Sequence, residues 1–477
     1  MHATWGLAAL LALAAGLAHA GGAVPAAVAV SAAPALSFAQ AQQLLLSNSD
    51  QLAAAARAVE SARLRREGVQ GLGGPSVAVT GMAYRYAASA DIDPARQALG
   101  GIVSMLPPPL GGAISQLPQL PPNYTLERQD ARAAGSVSLL WPLYIGGLGD
   151  AVRSGFAAQA DEAQADASAD AQGVQSLLVQ RYFGAQLAER AARLREAALV
   201  TVREHDAAAE RMLATGVISR LERLQAQAAL ADAAQQARKA RDEAQLAATA
   251  LARTLKVVAP LRPSSPLFVA SQPLPALQGF IDAALAQHPG LSKVQAKRRE
   301  AAALHDAQEA LRKPQVLGFG QSDIRTGGGK PNWVAGVAVR WTLWDSVDRD
   351  QLAASGQRKI EQAELTEQQA RSDIALLVEK NWLAVEHART QYLAQQAQED
   401  LARELLRLRE AGQREGTGTL LEWMDARVNL AKVQTERAQT AHQYIQALAA
   451  LLQSTGQSDA FGRYMAEADI QIPSDAP

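Results

Sequence analysis

The sequence predicts a mainly α protein with a small β part. Long coiled-coil helical hairpins would join four transmembrane β-strands per protomer, in a two-fold internal repeat that closes as a trimeric α/β-barrel. Three observations carry this expectation. Two landmarks recur at one fixed offset, long Pro-free stretches follow a heptad rhythm, and short alternating segments precede each landmark.

Composition agrees with a repetitive helical chain. Of 477 residues only 5% are aromatic, too few to fill a large globular core with big side chains. Ala and Gln run through most of the length, which suits helices meeting over Ala-sized contacts, since Ala has the best helix propensity. The formal net charge is -1, so no basic surface calls for nucleic acid as a partner. Cysteine is absent, which removes disulfides, thiolate metal sites and Cys nucleophiles together.

Residues 1–20 read as an export signal. Leu7 to Leu17 is an apolar run too short to span a bilayer, and Ala18-His19-Ala20 before Gly21 fits a small-x-small cleavage site. The segment departs from the usual pattern in having no Lys or Arg, and a buried N-terminal helix is the alternative. With no Cys after the signal, no lipid anchor at an N-terminal Cys is expected. No apolar stretch of transmembrane-helix length follows, so an exported chain would be periplasmic or an outer-membrane β-barrel. Residues 21–74 are read as periplasmic N-terminal helices.

The repeat is the most informative feature. Trp141-Pro142-Leu143-Tyr144 returns as Trp341-Thr342-Leu343-Trp344, and Gly216-Val217-Ile218-Ser219 returns as Gly416-Thr417-Gly418-Thr419, each 200 residues on. Between Trp and Gly, Asp150 to Leu213 holds no Pro, and Leu187, Ala191, Leu194, Ala198 and Thr201 step by 4, 3, 4 and 3. Asp348 to Gln413 also lacks Pro, and Leu401, Leu405 and Leu408 continue the rhythm. A helix of ~65 residues is on the order of 100 Å long. After each Gly the pattern resumes, from Leu221 to Val257 and from Leu420 to Leu452. Residues 146–258 and 345–455 are therefore two long hairpins with tips near 216 and 416. Pro260, Pro263 and Pro266 would end the first and Gly456 the second, leaving 456–477 as a C-terminal tail. Residues 259–313 would be a linker and the equatorial helices of the second repeat.

Strands are expected on the other side of each Trp. Trp333, Ala335, Val337, Val339, Trp341 and Leu343 alternate with Val334, Gly336, Ala338, Arg340 and Thr342. Val137, Leu139, Trp141 and Leu143 alternate opposite Ser136 and Ser138. Trp141, Trp333 and Trp341 would belong to an aromatic girdle at the outer-membrane lipid interface. Partner strands would start after a Pro in each half, over Pro75 to Ala87 and Pro314 to Arg325. The strand pairs are thus 75–145 and 314–344. Ala88 to Arg132, rich in Pro and Gly, is read as an elaborated extracellular loop, and Thr326 to Asn332 as its short counterpart. A soluble β-layer capping a coiled coil is the alternative. Four strands cannot close a barrel, and an open edge in lipid leaves backbone groups unsatisfied. Three copies would supply twelve strands.

These residues resemble the TolC family of outer-membrane factors over nearly all of the expected mature chain. The run Trp141 to Gly147 is similar to that family's strand-to-helix motif. Gly216 to Ala226 and Gly416 to Ala426 look like its two hairpin tips. The resemblance implies a homotrimer with a twelve-stranded barrel continued into a periplasmic tunnel, serving as the passive exit duct of a tripartite efflux or type I secretion system. The partners it implies are a periplasmic adaptor, an inner-membrane pump and outer-membrane lipid. Gly216, Val217, Ser219 and Arg220, with Gly416, Thr417, Gly418 and Thr419, would face the adaptor. Glu422 and Asp425 match the family's paired acidic positions at the periplasmic entrance. Their i, i+3 spacing puts both carboxylates on one helix face, and three copies would make rings that favour cations and resist closure. Here Glu stands where Asp is common, and Trp423 lies between the two. Plain solvated surface charges are the other reading.

Enzyme chemistry is not expected. No His pair has metal-ligand spacing, and Gly327-Gly328-Gly329-Lys330 lacks the spaced first Gly and the Ser or Thr of a phosphate loop. No nucleophile stands beside an activating base. No catalytic residue, metal or cofactor is assigned. The competing function is a periplasmic coiled-coil adaptor or tether, which would carry one hairpin flanked by soluble β-domains.

Overall fold

The computed structural model describes residues 35–91, 125–259, 261–324, 330–344, 346–415 and 417–472. The expected signal segment, residues 92–124 of the expected outer loop, residues 326–329 of its short counterpart, and Gly416 lie outside the described residues.

Two short helices come first after strand β1 (Ala35–Leu36): α1 (Phe38–Asn48) and α2 (Asp50–Gly68). Strands β2 (Ser76–Asp91) and β3 (Thr125–Tyr144) then form a long antiparallel pair, in register from Ser76↔Leu140 to Asp91↔Thr125. The strands therefore run further than expected. Residues 88–91 and 125–132, expected as loop, are hydrogen-bonded ladder. Their small and charged side chains blurred the alternation, but a ladder is propagated by backbone pairing and does not require an apolar face.

The first long hairpin consists of α3 (Leu148–Ala214) and α4 (Arg220–Thr254). The 67 residues of α3 make a rod of ~100 Å. It starts at a tight corner, Gly146 and Gly147, both with positive φ. A Cβ on Gly146 would lie 2.3 Å from the Ala310 carbonyl oxygen, so only Gly lets the strand-to-helix turn sit against the neighbouring helix. The end of the hairpin away from its tip corrects an expectation. Helix α4 stops at Thr254, not at the prolines, because Lys256 takes a left-handed φ of 56° and the Val257 N–H closes on the Ala252 carbonyl at 2.9 Å.

Next come β4 (Arg262–Pro263), β5 (Leu267–Val269), α5 (Leu277–Gln287), α6 (Pro289–Ala310), β6 (Gln315–Ile324) and β7 (Trp333–Arg340). The second hairpin is built from α7 (Arg349–Ala394), α8 (Gln396–Arg414) and α9 (Leu420–Ser454). Its descending arm is two helices, not the one expected, interrupted at Gln395. Strand β7 ends at Arg340, so Trp341 lies just beyond the ladder, and its indole Nε1 donates to the Arg312 carbonyl at 3.2 Å. The expected C-terminal tail is structured: a 3-10 turn (Ser458–Ala460), α10 (Phe461–Glu467) and β8 (Ile470–Ile472), which pairs antiparallel with β5.

Packing follows heptads of small residues. Ala151, Ala158 and Ala165 of α3 are buried, as are Ala296, Ala303 and Ala310 of α6, each set stepping by seven. Met424, Ala431, Ala438, Ile445 and Leu452 make the same seam along α9. Small side chains let helix axes approach closely while keeping knobs-into-holes contact. Within this chain α8 packs through a face other than the expected Leu401–Leu405–Leu408 stripe. Leu401 and Leu408 are more than half exposed, whereas Glu399, Ala402 and Leu406 are buried. The larger side chains collect at the waist, where Phe38, Tyr182, Phe183, Phe268, Tyr444 and Phe461 form one core. The Tyr182 hydroxyl donates to the Leu36 carbonyl at 2.6 Å and accepts from the Ser265 N–H at 2.8 Å, tying β1 and the chain just after β4 to α3.

The four long strands form one sheet in the order β2-β3-β6-β7. All of β7 is exposed, and Val77, Val79, Trp333, Val337 and Val339 are among its exposed apolar side chains and those of β2. Among the described residues, the outer edges of β2 and β7 pair with no other strand. No described helix is long and apolar enough to cross a membrane.

Candidate functional site at the hairpin tips

Each tip is a short loop locked by the same local chemistry. At the first, Gly216 adopts a φ of 77°, and the Val217 N–H bonds to the Met212 carbonyl at 2.9 Å, a Schellman closure of α3. Ser219 then caps α4. Its hydroxyl accepts from the Glu222 N–H at 3.2 Å, and the Glu222 carboxylate accepts from the Ser219 N–H at 2.6 Å. These bonds hold the Glu222 carboxyl below its ordinary pKa. At the second tip the Thr417 and Gly418 N–H groups bond to the Gly412 carbonyl at 2.9 and 3.0 Å. Thr419 caps α9 by the same reciprocal exchange with Glu422.

The tip residues named from sequence thus divide by role. Ser219 and Thr419 hold helix ends, and Gly216 makes the turn. Val217, 70% exposed, presents an apolar side chain outward beside exposed Arg220, Leu221 and Leu224. Between the tips lies a cavity of about 330 Å³ lined by residues of both hairpins, among them Met212, Val217, Gln413, Gly418 and Met424.

The two acidic positions differ from each other. Glu422 caps its own helix and is paired with Arg409 of α8 at 2.9 Å, so its charge is partly balanced within the chain. Asp425 is exposed and borders a second cavity, of about 320 Å³, with Val202, Asp232 and Met424. Sequence reasoning missed Arg409 and the Arg223–Asp206 ion pair between α4 and α3. It also missed His205, whose ring packs on Trp423. No local pattern marks these pairs. The Ser-x-x-Glu and Thr-x-x-Glu capping boxes, by contrast, are present in the sequence at 219–222 and 419–422. Among the described residues no His, Cys, Asp or Glu cluster could hold a metal ion.

The three tryptophans expected to form a girdle sit at or beside the sheet. Trp141 stands opposite Gly318 in the β3–β6 ladder, Trp333 opposite Ser322 in the β6–β7 ladder, and Trp341 just below it; all three are exposed.

Residues 41–255 and 280–457 match the outer membrane efflux protein family. The chain belongs to that family. It is an outer-membrane efflux channel component with a large periplasmic helical part, and channels of this family act with adaptor proteins and inner-membrane pumps in tripartite systems. No curated protein matches the sequence. Solved structures agree on the fold. The CmeC outer-membrane channel of Campylobacter jejuni aligns with a TM-score of 0.69 at 15% identity, covering 90% of this chain and 88% of that one. MtrE of Neisseria gonorrhoeae, in its open state, aligns at 0.68 and 15% identity over 88% and 89%. VceC of Vibrio cholerae aligns at 0.68 and 12% identity over 88% and 96%.

Proposed function

We propose that this family member works as a homotrimeric, passive exit duct with no catalysis of its own. Three four-stranded sheets would join edge to edge into a twelve-stranded barrel, and the hairpins of three protomers would line a tunnel below it. The observation that carries this reading is the sheet itself. Among the described residues its β2 and β7 edges have no partner strand and many of its apolar side chains are exposed, a state that cannot persist in lipid because each unsatisfied backbone group there costs several kcal/mol. Pairing β7 of one protomer with β2 of the next removes both edges.

The tips would face the adaptor, with Val217 and Arg220 on one hairpin and Thr417 and Gly418 on the other offering apolar and backbone contacts. Gly416 belongs to the same proposed surface by sequence position. Glu422 and Asp425 would stand at the entrance. The pairing of Glu422 with Arg409 makes Asp425 the stronger contributor to any negative ring.

The chain has no native cysteine, so edge pairing can be read by disulfides. Single cysteines replacing Val77 or Val79 in β2 would be combined with cysteines replacing Val337 or Val339 in β7, and membranes oxidised. At least one pair should give a covalent ladder that stops at three protomers. Ladders running past three, or none from any pair, would reject the barrel.

A further inference from the structure

Just above the tips the two hairpins of one protomer meet in a small core set apart from the waist: Val202 of α3, Leu406 of α8, and Trp423, Met424 and Ala426 of α9, all buried. His205, less than one turn beyond Val202, packs its imidazole on the Trp423 indole, with ring centroids 3.8 Å apart and planes inclined at 54°. The Trp423 side chain is 8% exposed, and its Nε1 is buried with no hydrogen-bond acceptor among the described residues. A buried donor without an acceptor is a standing cost that water relieves as soon as the two helices separate. The contact is therefore tight in packing yet poised to open.

We propose that the His205–Trp423 contact positions the first hairpin against the second at the periplasmic end, and that proton uptake by His205 releases it. This rests on the reading of the tips as the duct's entrance. Burial lowers the His205 pKa below the ordinary histidine value, partly offset by Glu204 on the same helix. The other charges at this level are largely engaged: Asp206 of α3 with Arg223 of α4, and Glu422 of α9 with Arg409 of α8. Asp425 of α9 is exposed.

The sign follows from linkage. A group whose pKa is depressed in the packed state binds its proton more readily once that packing is undone. Above the ordinary histidine pKa, His205 is neutral in both arrangements and the contact is intact. As pH falls below it, the arrangement with a hydrated imidazole takes the proton and gains population. One proton per contact limits the gain to about tenfold per pH unit. Attraction of an imidazolium to the indole face opposes this, but with the rings tilted and the imidazole half-buried, desolvation is the larger effect.

Nitroxide labels on cysteines replacing Glu210 of α3 and Glu415 at the end of α8, both exposed, would report the distance between hairpins in the full-length protein by pulsed electron resonance. In the parent, a longer distance should gain population between pH 8 and pH 5. His205→Phe, which keeps an aromatic ring on Trp423, should hold the short distance at both pH values. His205→Ala should show the long distance at both. A parent distribution that ignores pH, an acid-induced shortening, or a pH response that survives in His205→Phe would overturn the proposal. Native mass of the labelled sample tests the duct reading separately, since trimer assembly through the sheet does not involve His205.

Discussion

Burial of His442 on α9 should make this protein progressively less stable in acid, by an amount the structure sets. Its imidazole faces α3, where a Cβ on Gly184 would lie 3.8 Å from Nε2, and that nitrogen is buried without a hydrogen-bond partner. Burial alone lowers its pKa from 6.5 to about 4. Above pH 6.5 the group is neutral whether the chain is folded or not, so it adds no pH dependence. Between 6.5 and about 4 the unfolded chain takes up a proton that the native state refuses. A tenfold weaker hold on the proton is worth about 1.4 kcal/mol, so native stability falls by up to about 3 kcal/mol per protomer across that window and levels off below it. His442→Leu removes both the titration and the unsatisfied nitrogen. Thermal loss of helical circular dichroism should then show the variant modestly ahead of the parent at pH 7.5, with the gap widening steadily to pH 4.5. An equal gap at the two pH values would refute the reasoning.

Three further substitutions probe other contacts. In Gly356→Ala, the new Cβ would lie 2.6 Å from His305 Nδ1 and 3.2 Å from Gln308 Oε1, so the His305 ring must move or α7 must shift off α6. A loss of about 1–3 kcal/mol is expected in a melting experiment, with partial rescue by His305→Ala. Glu399, 5% exposed, accepts from Arg437 and Arg403 at 2.5 Å each. Removing it in Glu399→Ala leaves Arg437 without its carboxylate and should cost about 3 kcal/mol, read as a lower melting midpoint. Finally, Ser219→Ala or Thr419→Ala removes one half of a capping box, worth about 1 kcal/mol. Faster proteolysis at that tip, with the other tip unchanged, is the expected readout.

The long helices were legible because they are written in local terms: no Pro, good helix formers, and small or apolar residues stepping by seven. The tips were legible from Gly216 and Gly416 set two hundred residues apart, and the Ser-x-x-Glu and Thr-x-x-Glu boxes beside them are short-range signals of the same kind. What escaped was settled by partners far away in sequence. The interruption at Gln395 has no Gly or Pro beside it. The Leu401–Leu405–Leu408 stripe obeys a heptad as well as the buried Glu399–Leu406 seam does, and only packing against α9 shows which of the two is used within the chain. Strands β2 and β3 outrun their apolar alternation because backbone pairing sustains them. Strand β7 stops short of Trp341, whose indole turns to Arg312 instead. His205 and Trp423 are more than two hundred residues apart, and neither is marked by its neighbours. For Glu422 and Asp425 the family resemblance pointed to a pair of acids, but the capping box and Arg409 engage only Glu422.

The central claim, a trimeric duct in the outer membrane, is tested most directly by the native mass of the protein extracted in mild detergent from the outer-membrane fraction. A mass of three chains in that fraction is the predicted result. A single-chain mass in the soluble periplasmic fraction would contradict the account, because the open sheet edges would then have no partner and no lipid to make one necessary.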